Sequence, residues 1–235
     1  MRIVLDTQFT NPDLPLVDPL FALITPELIA GYGMQSNKDF SGNGRDFTWG
    51  GSFSSAGAVL TNDANGIITT PVTEQDAMTI IFAWNIAPVS GQISHVIGNM
   101  TPAAAPFSGF RHYINASSVG NTSAGTGLAS PQTQSFSGGA HGAWTAQALT
   151  ISPTKMQKVT HSGSVLSVNL TSRSKSPLPF YVNGVPADVA APQKGGLTGT
   201  IGLLAFYNAE YSVDKIKSLL DGAASIMAER GVTVP

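Results

Sequence analysis

The run Met78-Thr79-Ile80-Ile81-Phe82-Ala83-Trp84 constrains the fold of this chain more than any other stretch. At period two it places Met78, Ile80, Phe82 and Trp84 on one face and Thr79, Ile81 and Ala83 on the other, so both faces need cover. That pattern belongs to a central strand of a layered β protein. Around it, short runs of β-branched and aromatic residues are punctuated by Gly, Asn, Ser and Pro. Residues 93–97, 110–114, 144–151, 156–161, 165–170 and 198–207 are each predicted as strands. Phe180-Tyr181-Val182 runs into Asn183-Gly184, which supplies the two positive-φ residues of a type I′ turn and predicts a hairpin. No period of 20 to 50 residues repeats, so solenoids and propellers are unsupported. The class is all-β, a sandwich or barrel.

Three segments depart from strand patterning. Residues 12–26 carry Pro12, Pro15, Pro19 and Pro26 among apolar side chains, which predicts an extended, irregular arm after a first short strand. Residues 115–142 are dominated by Gly, Ser, Ala, Thr and Asn and predict a long surface excursion. At the C-terminal end Ser212 caps a helix, Asp214 sits in its first turn, and Ile216, Leu219, Leu220, Ala223 and Met227 share one face. Gly231 stops it. That face either packs on the sandwich or docks a partner subunit, in which case Ile216, Leu219, Leu220 and Met227 are the assembly residues.

Charge excludes several partners. Twelve Lys and Arg stand against 14 Asp and Glu in 235 residues, a formal net charge of -2 with 11% charged residues. A nucleic-acid or acidic-membrane partner needs a basic stripe, and the basic residues are few and scattered, clustering no more closely than Arg173 with Lys175. The chain has no cysteine, which removes disulfides, thiolate metal sites and thiol nucleophiles. No apolar run of 18 residues or N-terminal h-region occurs, so neither a membrane span nor a signal peptide is expected and first folding in a cytosol is. The sequons at Asn99, Asn115, Asn121 and Asn169 are what a Ser- and Thr-rich chain produces by chance.

Catalytic signatures are missing. Only four glutamates occur (Glu27, Glu74, Glu210, Glu229), none close to another in sequence, so the paired carboxylates of a glycosidase strand are absent. Nucleophile-elbow, zincin, Walker and dinucleotide-binding strings are absent too. His95, His112, His141 and His161 show no metal-site spacing and read as structural. In Asp39-Phe40-Ser41-Gly42-Asn43-Gly44-Arg45-Asp46 the side-chain oxygens recur at steps of two to three between glycines, which suits either a tight Asx turn or a calcium loop held by Asp39, Asn43 and Asp46. No cofactor other than that calcium is suggested. Trp49, Trp144 and Tyr113 border Gly-rich segments or a strand end; they either seal sandwich edges or stack on a sugar.

Several of these strings resemble the concanavalin A-like lectin/glucanase superfamily, in particular its laminin-G-like jelly rolls. Asp39-Phe40-Ser41-Gly42-Asn43-Gly44 looks like the family's early turn, residues 78–84 like a family strand ending in Trp, and Phe180-Tyr181-Val182-Asn183-Gly184 like its Tyr-Val-Asp-Gly hairpin. Residues 200–209 with Tyr211-Ser212-Val213-Asp214-Lys215-Ile216 are similar to its closing strand and helical turn. The resemblance implies a jelly-roll β-sandwich with a C-terminal α-helix: one domain over residues 1–235, with an arm at 1–27, the jelly roll at 28–211 and the helix at 212–230. The glucanase glutamates and the legume-lectin metal site have no counterpart, so activity does not carry over.

By analogy with cysteine-free, Gly- and Ser-rich bacteriophage proteins, the expectation is a non-enzymatic virion module of tail or capsid surface. It would be made in host cytoplasm, pack on other virion proteins or on itself, and attach to bacterial surface glycan. The alternatives are a free, extracellular carbohydrate-binding lectin and, third, a glycan-degrading enzyme.

Overall fold

The computed structural model describes residues 19–139 and 141–235. Its strands are β1 (Leu28–Tyr32), β2 (Ser52–Phe53), β3 (Ala58–Leu60), β4 (Ile68–Thr73), β5 (Met78–Pro88), β6 (Ser94–Gly98) and β7 (Phe110–Ile114). They continue with β8 (Gly120–Gly125), β9 (Thr133–Ser137), β10 (Thr145–Ile151), β11 (Lys155–Thr160), β12 (Val165–Asn169), β13 (Pro179–Val182) and β14 (Leu197–Tyr207). One helix, α1 (Val213–Glu229), follows. The strands form two antiparallel sheets, an eight-stranded one in the order β12-β11-β10-β5-β14-β3-β2 and a six-stranded one in the order β4-β13-β6-β7-β8-β9. β1 pairs with β14 beyond the stretch that β3 occupies, so β1 and β3 share one edge of β14 in succession. This is a jelly-roll β-sandwich with a C-terminal helix.

The two faces of β5 explain the three layers. Met78, Ile80, Phe82 and Trp84 join Phe110, Ile114, Phe180 and Phe206 between the sheets. Ile81 and Ala83 turn the other way, with Ala146, Ala148, Leu203 and Ala205, onto α1. Small residues dominate that outer face of the eight-stranded sheet because a helix lies across it. Ile216, Leu219, Leu220, Ala223, Ile226 and Met227 are buried there, the Ile, Leu and Met side chains each contributing on the order of 2 kcal/mol. The face proposed for assembly is thus covered by the chain's own sheet. Ser212 caps α1 by accepting from the Lys215 amide at 3.3 Å, and Gly231 leaves it at φ 75°. A bulge in β14 at Gly202 lets Met227 approach so closely that a Cβ there would stand 2.3 Å from its Cε.

Three sequence expectations need correction. Residues 115–142 are not an excursion, because β8 and β9 extend the six-stranded sheet within them. Their small residues reflect close approach: a Cβ on Gly125 would stand 2.4 Å from the Phe107 carbonyl, and one on Gly138 2.7 Å from Leu166. Asn183 and Gly184 do take positive φ (60° and 113°), but β13 pairs with β4 and β6, so the turn joins no hairpin. Instead the Asn183 side chain bonds the Thr61 and Gly66 carbonyls and the Leu197 amide, and residues 185–196 fold over the outer face of the six-stranded sheet. Of the N-terminal arm, residues 1–18 lie outside the described residues, while Pro19–Leu23 is a 3-10 turn rather than extended chain. It packs on α1, with the Leu23 carbonyl accepting from the Tyr207 hydroxyl at 2.9 Å.

Candidate functional site

A pocket of about 340 Å³ opens at one end of the sandwich, between the inner face of β10, β11 and β12 and the loop that follows β9. Register decides which side chains enter it. Gln147 stands opposite Thr160, and Lys158 stands between Leu149 and Leu166 on neighbouring strands. Leu149 belongs to the inter-sheet core, so Lys158, two residues after the core side chain Met156, points into the same layer. Thr145, Gln147, Lys158, Thr160 and Leu166 form one wall. His141 and Trp144 of the β9–β10 loop form the other, with Ser162 and Ser164 at the rim. Among the described residues no Asp or Glu side chain lines it, and Pro235, the last residue of the sequence, does.

The electrostatics are unusual for a core. Lys158 is 2% exposed and donates to the Gly138 carbonyl. None of the ion pairs among the described residues includes it. Burial pulls its pKa down to about 8. His141 is held at about 4, first by burial and then by the nearby Lys158 charge, and neither of its buried ring nitrogens has a hydrogen-bond partner. Behind it, His112 of β7 is fully buried and held well below the ordinary imidazole value, chiefly by desolvation. Its Nδ1 is bonded to Thr122 Oγ1 at 2.9 Å and its Nε2 is unpartnered. Both imidazoles close over Gly120, where a Cβ would meet His141 Cε1 at 3.2 Å and His112 Cε1 at 3.4 Å. Glycine at this place in β8 makes room for both rings.

Of the rings picked from the sequence, Trp144 lines this pocket, half-buried against the helix-side core. Trp49 lies elsewhere, at the β2 edge, edge-on to Phe53 at 4.7 Å and to Phe47 at 6.4 Å. Tyr113 stands on the outer face of the six-stranded sheet with the Arg111 guanidinium 4.5 Å above its ring. The three are not brought to one site. Lys158 and Gln147 were missed by sequence reasoning, and His141 was read there as structural; the available signal was a lysine at an inward position of an apolar alternation.

The Asp39 loop is a tightly bonded turn. Asp39 Oδ1 accepts from the Gly31 and Ser41 amides, and Oδ2 from the Ser41 hydroxyl and the Arg45 amide, at 2.7 to 3.0 Å. Asn43 turns its amide nitrogen to the Leu28 and Ile29 carbonyls, and Asp46 accepts from the Asp39 amide and from Lys38. These bonds hold both Asp39 and Asp46 below the ordinary carboxylate range; burial opposes them at Asp39, and Lys38 is the largest cause at Asp46. Among the described residues no three His, Asp or Glu side chains cluster as a metal site.

No protein-family model matches the chain, and no curated protein matches it in sequence. Solved structures do match in fold. The botulinum neurotoxin type G receptor-binding domain superposes with a TM-score of 0.64 at 13% identity over 84% of this chain and 52% of that one. A botulinum neurotoxin type C structure, whose cell entry is described as dependent on two ganglioside molecules, gives 0.62 at 14% over 88% and 53%. A Trypanosoma rangeli sialidase gives 0.63 at 16% over 86% and 33%. The chain therefore spans about half the length of the toxin structures and a third of the sialidase. At these identities the likeness shows the fold alone, a jelly-roll β-sandwich. Among the described residues no helix is long and apolar enough to cross a membrane.

Proposed function

We propose that this protein is a carbohydrate-binding module whose site is the pocket walled by Trp144, Gln147 and Lys158. The observation that carries the reading is the pairing, in one concavity, of a half-buried indole with a convergent set of hydrogen-bonding side chains, Thr145, Gln147, Thr160, Ser162 and Ser164. Sugars present that same combination: an apolar ring face and a fringe of hydroxyls that both donate and accept. Among the described residues no Asp or Glu side chain lines the pocket, so the paired side-chain carboxylates of a glycosidase are not at hand there, which supports binding rather than hydrolysis. The neighbours in fold support it as well, since one is described as depending on gangliosides and another as a sialidase.

A virion setting, with packing on other virion proteins and attachment to bacterial surface glycan, rests on composition alone, and the structures named above are not virion proteins. The test is a screen of the purified protein against bacterial polysaccharides and defined oligosaccharides. Saturable binding that Trp144→Ala weakens by about 1 to 3 kcal/mol, in a variant that still unfolds cooperatively, is the expected result. Failure to bind any glycan of the screen would remove the reading.

A further inference from the structure

We infer that the ligand of this pocket is an acidic sugar whose carboxylate pairs with Lys158. The inference rests on the carbohydrate-binding reading and narrows it. Lys158 lines the pocket, is 2% exposed, and has the Gly138 carbonyl as its acceptor, while an ammonium offers three donors. A buried cation is tolerated when a counter-charge is paired with it, and among the described residues Lys158 is in no ion pair and no Asp or Glu side chain lines the cavity, the carboxylate of Pro235 at its wall making no ion pair with it.

The neighbouring groups complete a carboxylate seat. His141 has two buried, unpartnered ring nitrogens, and a neutral imidazole offers one N–H donor and one acceptor. Gln147 adds an amide on the Trp144 side. Among the described residues Lys158 is the sole Lys or Arg in the lining, which fits one negative charge rather than a polyanion. Its pKa of about 8 leaves it protonated at pH 7, ready to gain a partner.

The test compares oligosaccharides containing glucuronate, galacturonate or N-acetylneuraminate with the same compounds after reduction of the carboxyl to an alcohol. Binding is measured by calorimetry to the wild-type chain, Lys158→Met and Lys158→Gln. The expected result is at least tenfold tighter binding of an acidic form than of its reduced partner, a preference that both substitutions erase. Both variants should melt at or above the wild-type temperature, because an uncompensated buried charge has been removed; a lysine with a purely structural role would lower it. Equal binding of acidic and reduced forms, or a preference that survives in both variants, overturns the acidic-sugar inference and leaves carbohydrate binding standing. If no oligosaccharide of either kind binds, both fall together.

Discussion

Trp84 of β5 and His112 of β7 stack across the space between the two sheets, ring centroids 5.9 Å apart and planes 10° from parallel. The contact locks an imidazole into the one layer of the molecule where its protonated form cannot be hydrated. Phe82 stacks on the same indole at 3.8 Å, so His112 ends a line of rings that runs from the core toward the pocket.

Acid should therefore unfold this protein early. His95 and His141 are held at about 4 and His112 lower still, each first by burial, against an ordinary value of 6.5. Between those values the unfolded chain binds more protons than the native one, so stability falls as pH drops from about 6.5 toward 4 and is insensitive to these groups above 7. Urea midpoints measured across that range should decline, and the decline should shrink in His112→Gln.

Lys158 adds a second limb of the same sign at alkaline pH. Its native value of about 8 lies below the ordinary 10.5, so the unfolded chain binds the extra proton between the two and stability rises with pH across that window. Lys158→Met should abolish the rise. A wild-type midpoint that is flat or falls between pH 8 and 10 where the variant is flat would contradict the burial of this amine.

Glu74 and Arg173 form a buried pair whose loss should be costly. Arg173 Nε and Nη2 both donate to Glu74 Oε1, at 3.1 and 2.7 Å, while Oε2 accepts from Asn99 Nδ2 and the Ser176 amide. With the side chains 4% and 0% exposed, Glu74→Ala strands a guanidinium in the interior, at a cost of about 3 to 5 kcal/mol. The double variant Glu74→Ala with Arg173→Met should recover part of that loss in a denaturant titration.

In the Asp39 loop, four donors already occupy the carboxylate. Asp39→Ala should cost about 2 to 4 kcal/mol, since the Gly31, Ser41 and Arg45 amides lose their acceptor together. Calcium or chelator should leave the melting temperature of the wild-type chain unchanged; a rise with calcium would show that Asp39, Asn43 and Asp46 bind it after all.

The layered architecture was readable because β5 and α1 have strong periodicities set by what covers them, and the inward and outward sets of 78–84 divide between the two cores as alternation demands. β8 and β9 were not readable. Thr122 and Ala124 are fully buried in β8, yet a strand of small residues between neighbouring strands lacks the bulky alternation that marks a strand by itself. Of the pocket's lining, only Trp144 was named from the sequence as a candidate for binding. Lys158, Gln147 and His141 come from β11, β10 and a loop, and their convergence depends on register across three strands, which no local pattern encodes.

The most direct measurement is the affinity of one glycan, taken from the screen, for the wild-type chain, Trp144→Ala and Tyr113→Ala under identical conditions. If the pocket is the site, Trp144→Ala weakens binding at least tenfold while Tyr113→Ala, on the far face of the other sheet, leaves it unchanged. Equal affinity of wild type and Trp144→Ala, with loss in Tyr113→Ala, would place the sugar on the outer face of the six-stranded sheet and contradict the pocket as the binding site.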